Sequence, residues 1–287
     1  MSSPIFRFAP TPNGLLHLGH AYSALCNAEA ARRTGGKLLL RIEDIDPLRC
    51  KREYEDAIYE DLAWLGIAFD PNVRRQSEHF SDYDRALASL QARGLVYPCV
   101  CTRGDIALRH PGQRDPDGAP LHAGRCAVGA RAAGGPAAIR LDMARARRLA
   151  PQDLFWREFG EGFDERRVEA APEAWGDVVL RGKGRPAAYH LAVVVDDALQ
   201  GVGEVVRGRD LFPSTSVHRL LQGLLGLEAP IYRHHRLVLD AAGEKMSKSA
   251  ASTPLAELRD SGISAAEVRA ALGFASVGAG RLRVAFS

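Results

Sequence analysis

The first 65 residues alternate between strand-like and helix-like segments, and this alternation constrains the fold more than any other feature. The apolar stretch Ile5–Phe8 reads as a buried strand and stops at a turn-forming run of Pro, Asn and Gly. A helical pattern over Leu18–Thr34 ends at two glycines, and Lys37–Ile42 is a second strand-like run. A second helical pattern covers residues 51–65. This order predicts parallel strands joined by right-handed crossovers, and therefore an α/β fold.

The remainder of the chain has weaker periodicity. Residues 97–150 are rich in Gly, Pro, Ala and Arg, and we expect an insertion there whose segment 127–150 is solvated surface. Further along we expect a central strand within residues 188–197, a helix over 216–226, a last strand at 236–239, a helical tail over 253–274 and a frayed end at 278–287.

Composition excludes several classes of protein. Of the 287 residues, 46% are hydrophobic and 25% charged, which excludes a wholly disordered or coiled-coil chain. The net charge of +3 (38 − 35) is too small to argue for or against nucleic acid binding. The longest strongly apolar stretch, Leu191–Val195, falls far short of the roughly 20 residues that span a membrane. An odd number of cysteines, five, and the lack of a leader-like start predict a cytoplasmic protein, and we expect a monomer.

The turn between the first strand and the first helix carries residues suited to phosphate. In a doubly wound sheet such a turn lies at the carboxyl edge of the strands, where ligands bind, and the helix start offers backbone N–H groups. His17 and His20 are three residues apart and can donate hydrogen bonds to phosphate oxygens. Gly19 lets a flat base approach the backbone. Taken alone, the pattern fits a helix start with two surface histidines equally well.

A second informative segment, residues 244–249 (EKMSKS), follows the last predicted strand and a glycine turn. Lys245 and Lys248 on a flexible loop can fold over a triphosphate and stabilise the charge that builds up as pyrophosphate leaves. In isolation, an exposed charged loop is the simpler interpretation. The pairing with the histidine segment makes the phosphate interpretation the stronger one.

The two segments together resemble the paired signatures of class I aminoacyl-tRNA synthetases. Further segments are similar to the glutamyl branch of that class, namely residues 7–14, 41–46, 189–192, 196–197 and 205–208. This resemblance implies a Rossmann-like α/β catalytic domain with an inserted zinc-binding subdomain, a short C-terminal helical segment and no anticodon-binding domain. The expected divisions are the two catalytic halves at 1–96 and 175–240, the insert at 97–174, and the lysine loop with C-terminal helices at 241–287.

The resemblance also assigns roles that suit an amino acid with a carboxylate side chain. Arg7 and Arg207 are fork-shaped cations for a carboxylate, Glu43 is an anion for the ammonium group, and Tyr189 adds a hydroxyl. The implied L-glutamate site comprises Arg7, Phe8, Ala9, Pro10, Thr11, Glu43, Tyr189 and Arg207. The implied ATP site comprises His17, Gly19, His20 and Lys248, and the implied catalytic groups are His17, His20, Lys245 and Lys248, with Mg²⁺ accompanying ATP.

The short tail refines the resemblance. Only 38 residues follow Ser249 (287 − 249), which leaves no room for the helical domains that read the anticodon in glutamyl-tRNA synthetases. Val193 stands where those enzymes usually carry Asn. The chain therefore resembles the shortened glutamyl-Q tRNA(Asp) synthetases. This implies activation of L-glutamate by ATP to glutamyl-adenylate, without bound tRNA, and transfer of glutamate to queuosine at the wobble position of tRNA(Asp).

Three cysteines fall in the predicted insertion. Cys99 and Cys101 form a tight thiolate pair, and Cys126 lies 25 residues further on, so one more ligand would complete a tetrahedral zinc site. In the shortened synthetases the resemblance places a tyrosine four residues before the last cysteine as that ligand, and here the position holds His122. His110 is the rival fourth ligand, and three unliganded cytosolic thiols are the alternative to a metal site. We expect one structural zinc per chain.

Three other functions remain open. A truncated glutamyl-tRNA synthetase would charge the 3′ end of a tRNA. A nucleotidylyltransferase would share the two phosphate segments and lack the set formed by Arg7, Glu43, Tyr189 and Arg207. A non-catalytic RNA-binding protein would have no need for intact His17, His20, Lys245 and Lys248.

Overall fold

Strands and helices alternate along the computed structural model, which describes residues 3–124, 136–160, 164–239, 253–274 and 282–287. The strands are β1 Ile5–Phe8, β2 Lys37–Ile42, β3 Arg74–Arg75, β4 Val96–Cys99, β5 Ala138–Leu141, β6 Phe155–Phe159, β7 Glu165–Glu169, β8 Val179–Arg181, β9 Glu204–Gly208, β10 Ile231–His235, β11 Val238–Leu239 and β12 Ala285–Phe286. The helices are α1 Leu18–Thr34, α2 Arg52–Trp64, α3 Phe80–Ala92, α4 Arg103–Arg109, α5 Met143–Leu149, α6 Tyr189–Leu199, α7 Ser214–Leu225, α8 Leu255–Asp260 and α9 Ala265–Ala271. The predicted α/β class is confirmed, and α1 and β2 have the predicted bounds.

The parallel strands place β1, near the beginning of the sequence, in the interior of the main sheet. β1 pairs with β2 and β2 with β3, while β9 pairs with β10 and β10 with β6, all in parallel. The two groups meet where the Gly203 N–H, just before β9, donates to the Ile5 carbonyl oxygen at 3.1 Å. The order is therefore β3-β2-β1-β9-β10-β6, with β7 antiparallel at the edge. Winding reverses between β1 and β9, and in such sheets the carboxyl ends beside the reversal form the ligand site.

Helix α1 is anchored so that its N-terminus stays at this reversal. Ala21 and Leu25 are buried in the same apolar cluster as β1 and β2. The Asn27 side chain donates to the Val206 carbonyl oxygen at 3.0 Å and ties the helix to β9. Gly35 ends the helix at a left-handed φ of 61°, which glycine adopts without steric cost. The helix start is therefore held by side-chain contacts along the helix and by its C-cap.

A second sheet has three strands, in which β5 pairs antiparallel with β4 and β8. The prediction of solvated surface for 127–150 is wrong over the described residues 136–150. Leu141, Met143 and Ala146 are buried in the largest apolar cluster, while neighbouring arginines point outward. The many arginines concealed this pattern because both elements are short and only one face of each is apolar.

The predicted central strand at Leu191–Val195 is also wrong, because these residues lie within α6. A short apolar run does not distinguish a buried strand from a buried helix, and the three valines favoured a strand. Every residue from Leu191 to Asp197 is buried, because α6 packs between α3, α7 and β8. Burial on all sides accounts for the missing amphipathic pattern.

The C-terminal part differs from prediction in two places. The helical tail is two helices, α8 and α9, separated at Gly262 with φ 78°, and Ser264 caps α9 by accepting the Glu267 N–H. The end predicted to fray contains β12, which pairs antiparallel with β11. The predicted strand at 236–239 is confirmed at Val238–Leu239, and β10 just before it was missed. Over the described ranges, no helix combines the length and apolar character needed to cross a membrane.

Candidate active site

A cleft of about 490 Å³ opens at the carboxyl ends of β1, β2 and β9. All eight residues predicted to bind glutamate line this cleft: Arg7, Phe8, Ala9, Pro10, Thr11, Glu43, Tyr189 and Arg207. The predicted nucleotide-binding residues His17, Gly19 and His20 line it as well. Segments almost 200 residues apart in sequence therefore meet at the reversal in strand order.

One side of the cleft holds a chain of alternating charges. Arg7 Nε donates to Asp197 Oδ1 at 3.1 Å, and Arg41 Nη1 donates to the same oxygen at 2.6 Å. Arg41 Nη2 in turn donates to Glu43 Oε1 at 3.0 Å. Arg41 is fully buried, and the carboxylates of Asp197, Glu43 and Asp196, the last 3.7 Å from Nε, compensate a charge that water does not reach. No role for Arg41 and Asp197 was predicted from the sequence, although a charge within the apolar strand Lys37–Ile42 and one just after the apolar run Leu191–Val195 were available signals.

The pKa values of the two carboxylates beside the cleft, Asp197 and Glu43, are shifted in opposite directions. Burial alone would raise the pKa of Asp197, but Arg7 and Arg41 outweigh it and lower that pKa. Burial raises the pKa of Glu43, and Arg41 opposes the shift only in part. Asp197 is therefore the fixed counter-ion, while Glu43 gains from a cation arriving in the cleft.

The other side of the cleft is formed by Arg207, whose five N–H groups all meet neutral acceptors. Nε donates to His234 Nε2 at 3.1 Å. Nη1 faces Tyr189 Oη at 3.4 Å and His218 Nδ1 at 3.2 Å. Nη2 donates to the Leu211 carbonyl oxygen at 3.1 Å and to Thr215 Oγ1 at 2.7 Å. Among the described side chains, no carboxylate lies within ion-pair distance of this guanidinium. His218 and His234 were not predicted as site residues, since nothing in their spacing along the sequence relates them to Arg207.

The two histidines at the start of α1 cap that helix. His17 Nδ1 accepts the Gly19 N–H at 3.1 Å, and His20 Nδ1 accepts the His17 N–H at 3.2 Å. Because each Nδ1 accepts, the proton of each neutral ring resides on Nε2. A Cβ on Gly19 would lie 2.9 Å from His17 Cε1, so glycine makes room for this ring. The capping fixes both imidazoles at the positive end of the helix.

The predicted catalytic residues Lys245 and Lys248 lie outside the described residues. The described residues on either side of them lie near the site: Val238 lines the cleft, and Pro254 forms a β-bridge with His17. The Leu255 N–H also donates to the Leu16 carbonyl oxygen at 2.8 Å. The described chain before the two lysines therefore ends at the cleft, and the described chain after them begins beside the start of α1.

Away from the cleft, Cys99, Cys101 and His122 come together with all ligand atoms within 4.8 Å of one another, and all three residues are buried. Cys99 Sγ lies 3.4 Å from His122 Nε2. Burial opposes ionisation of Cys99, yet the Cys101 N–H and Arg140 lower its pKa to about 7. His110 is not part of this cluster of described residues, and Cys126 lies outside the described ranges.

The far side of the His122 ring is held by buried polar groups. Tyr97 Oη lies 3.3 Å and Asp177 Oδ2 lies 3.6 Å from His122 Nδ1. Asp177 also accepts from Tyr97 and from the N–H groups of Gly124 and Met143. A carboxylate behind a histidine, with the other ring nitrogen facing thiols, is the arrangement that orients a histidine toward zinc. The described donors therefore fit three ligands of a tetrahedral zinc site.

Comparison with known proteins agrees with this geometry. A family model described as the catalytic domain of class I tRNA synthetases (E and Q) matches residues 5–273. The glutamyl-Q tRNA(Asp) synthetase of Rhodobacter capsulatus is 43% identical over 282 residues, which cover 94% of this chain and 99% of that protein. Glutamate–tRNA ligase 2 of Syntrophus aciditrophicus is 36% identical over 91% of this chain, and the chain spans only 55% of its length.

A solved structure of a glutamate tRNA ligase also matches this chain. The crystal structure of a glutamate tRNA ligase from Elizabethkingia meningosepticum in complex with its amino acid matches 86% of this chain and 52% of that one, with a TM-score of 0.68 and 26% identity. The family match covers both sides of the cleft and the start of α1. The chain therefore belongs to the class I tRNA synthetases, in the branch of the glutamyl and glutaminyl enzymes.

Proposed function

We propose that this protein activates L-glutamate with ATP and transfers the glutamyl group to queuosine at the wobble position of tRNA(Asp). The observation that carries the proposal is the Arg207 guanidinium, which no carboxylate among the described residues neutralises, in a cleft that ends at the start of α1. The relative from Rhodobacter capsulatus, a glutamyl-Q tRNA(Asp) synthetase, matches over nearly its full length. The higher identity to this synthetase, 43% against 36% for the glutamate–tRNA ligase 2 of Syntrophus aciditrophicus, favours this function over charging of a tRNA 3′ end.

The charges of the cleft define how glutamate binds. Arg207, with the Tyr189 hydroxyl beside it, takes the side-chain carboxylate. Burial raises the pKa of Tyr189, so this hydroxyl stays neutral and donates. Glu43 takes the ammonium group, and Arg7, held by Asp197, faces the amino acid from β1. The α-carboxylate is then directed toward the histidines of α1.

The first reaction step follows from this orientation. An oxygen of the α-carboxylate attacks the α-phosphorus of ATP, the bond to the β-phosphate breaks, and pyrophosphate leaves. His17 and His20 donate from Nε2 to phosphate oxygens. Lys245 and Lys248 add positive charge beside the leaving pyrophosphate. Mg²⁺ bound with ATP supplies further positive charge at the phosphates. No side chain acts as a nucleophile, so the protein contributes positioning and electrostatic stabilisation.

In the second step a hydroxyl of the cyclopentene ring of queuosine attacks the carbonyl carbon of glutamyl-adenylate. An ester bond forms, the bond between the carbonyl carbon and the phosphate oxygen breaks, AMP leaves with the electron pair, and the proton of the attacking hydroxyl is released to solvent. We further propose that Cys99, Cys101, His122 and Cys126 hold one zinc ion that orders the segment around β4. We also propose that the protein works as a monomer in the cytoplasm.

The test is an acceptor assay with radiolabelled glutamate. We expect transfer to queuosine-bearing tRNA(Asp) whose 3′-terminal adenosine has been removed, and no transfer to an intact tRNA(Asp) that lacks queuosine. The opposite pattern would identify an enzyme that charges the 3′ end. Glutamate-dependent exchange of pyrophosphate into ATP, measured without tRNA, tests the first step separately, and its failure with every amino acid would favour a binding protein.

A further inference from the structure

Arg207 is held by neutral hydrogen-bond acceptors, and this leaves its positive charge available to the proposed glutamate site; the inference rests on the proposed function. Arg207 is only 5% exposed, yet its guanidinium contacts rings, hydroxyls and a carbonyl instead of an acid. A buried arginine is ordinarily paired with a carboxylate, as Arg41 is with Asp197 and Glu43 on the opposite side of the same cleft. Carboxylates therefore neutralise Arg41, whereas the partners of Arg207 are neutral.

His234 must be neutral to accept a hydrogen bond from Arg207. Its Nε2 accepts from Arg207 Nε, and its Nδ1 lies 2.9 Å from Glu158 Oε2. Because an arginine N–H can only donate, the His234 proton resides on Nδ1 and points to Glu158. Glu158 thus contacts the guanidinium only through the imidazole ring. Burial lowers the pKa of His234 to about 4, although Glu158 favours the protonated form.

His218 is constrained in the same way from the next helix. Its Nδ1 accepts from Arg207 Nη1 at 3.2 Å, so its proton resides on Nε2 and points to His190 Nδ1 at 3.2 Å. Burial, and after it the neighbouring Arg207 and His190, lower the pKa of His218 well below its ordinary value. Neither ring gains a charge that could repel Arg207 at physiological pH.

We propose that His218 and His234 are positioning residues that hold the Arg207 guanidinium through neutral nitrogen acceptors and so leave its positive charge for the side-chain carboxylate of glutamate. A carboxylate at either position would satisfy the same N–H group, but it would also neutralise the cation and compete with the substrate. The long contact from Nη1 to Tyr189 Oη, at 3.4 Å, is the one that a substrate carboxylate displaces most easily.

The decisive comparison is His218→Asp against His218→Asn. The two side chains have the same shape, and both place an oxygen acceptor on Cγ, where histidine carries Nδ1. Only aspartate adds a negative charge beside Arg207. In glutamate-dependent pyrophosphate exchange we expect KM for glutamate to stay within about threefold for His218→Asn and to rise about tenfold or more for His218→Asp. KM for ATP should stay unchanged in both variants.

His79→Asp is the matched control, because His79 lies just before α3, outside the residues that line the cleft. Equal KM values for the two His218 variants would overturn the inference, since charge at this position would then be without effect. If neither variant folds, Thr215→Asp against Thr215→Asn gives the same comparison at the Nη2 contact of 2.7 Å. Absence of glutamate-dependent exchange in the unmodified protein would overturn the proposed function instead.

Discussion

At the scale of single residues, the cleft separates a compensated cation from an uncompensated one. Arg7 shares Asp197 with Arg41, whereas Arg207 has only neutral partners among the described residues. Arg207 gains more electrostatic stabilisation than Arg7 from an arriving carboxylate, because it has no existing ion pair among the described residues to give up. We therefore assign to Arg207 the larger share of the affinity for glutamate.

The first prediction concerns Arg207→Ala. The change removes the charged hydrogen bonds to the side-chain carboxylate, so KM for glutamate in pyrophosphate exchange should rise about 100-fold. ATP binding, measured by calorimetry, should persist because α1 and its histidines are untouched. An equal loss of ATP binding would show that Arg207 supports the whole cleft instead of one substrate.

The second prediction is a pH dependence that belongs to Glu43. Its pKa is raised by burial, so this carboxyl becomes protonated at a higher pH than an ordinary glutamate with its value of 4.5. Since protonation removes the anion that receives the ammonium group, KM for glutamate should increase as the pH falls, before an ordinary carboxyl would titrate. The profile is measured from neutral to acidic pH by exchange at varied glutamate.

Glu43→Gln is the control for that profile. The variant should have a higher KM at neutral pH, by about tenfold, and a flatter acidic limb. The titration of the substrate itself is common to both proteins, so the difference between the two profiles isolates Glu43. Parallel profiles would assign the acidic limb to another group.

The residues that could be predicted from sequence are those whose chemistry matches the substrate. Arg7, Glu43, Tyr189 and Arg207 carry charges or hydroxyls that glutamate requires, and all four line the cleft. Their supporting residues could not be found in the same way. The pairing of Arg41 with Asp197 joins positions 156 apart, and only the folded chain brings them together.

At the scale of elements, local patterns predicted α1 and β2 because each has clear ends. Helix α1 also has one buried face, whereas β2 is a short apolar run that is buried from Leu38 to Ile42. Local patterns failed for α6, whose valine-rich sequence is buried on all sides and therefore has no polar face to reveal a helical period. They failed for α5, in which three of seven residues are arginine, and for β5, a strand of only four residues that includes Arg140. Elements were missed where tertiary burial, and not local propensity, decides the structure.

The third prediction concerns β4 and the loop that carries His122. If the cluster of Cys99, Cys101 and His122 holds zinc, the purified protein should contain about one zinc per chain by atomic emission. Cys99→Ser removes one thiolate, so the zinc content should fall well below half an equivalent and the melting temperature should decrease. Cys50→Ser, at a half-buried cysteine outside the cluster, should keep both values. A metal-free unmodified protein would contradict the assignment.

At the scale of the whole molecule, the last described residues contact the first helix and the strand β11. β12 pairs with β11, and β11 leads directly into the segment that carries Lys245 and Lys248. The Phe286 ring lies 5.0 Å from the Tyr22 ring of α1, measured between centroids, and Arg236 stacks over it at 4.0 Å. The last residues therefore brace both the first helix and the strand that starts the lysine segment.

The fourth prediction tests this bracing with Phe286→Ala. Phe286 is half-buried, so the change should lower the free energy of unfolding by about 1–2 kcal/mol, measured in urea. Because β11 positions the chain that leads to Lys245 and Lys248, KM for ATP should rise more than KM for glutamate, whose contacts lie on β1, β2, α6 and β9. Leu199→Ala, at a side chain that is 58% exposed, should leave both KM values unchanged. A loss of stability with unaltered KM for ATP would confine β12 to a structural role, whereas the expected split would connect the end of the chain to nucleotide binding.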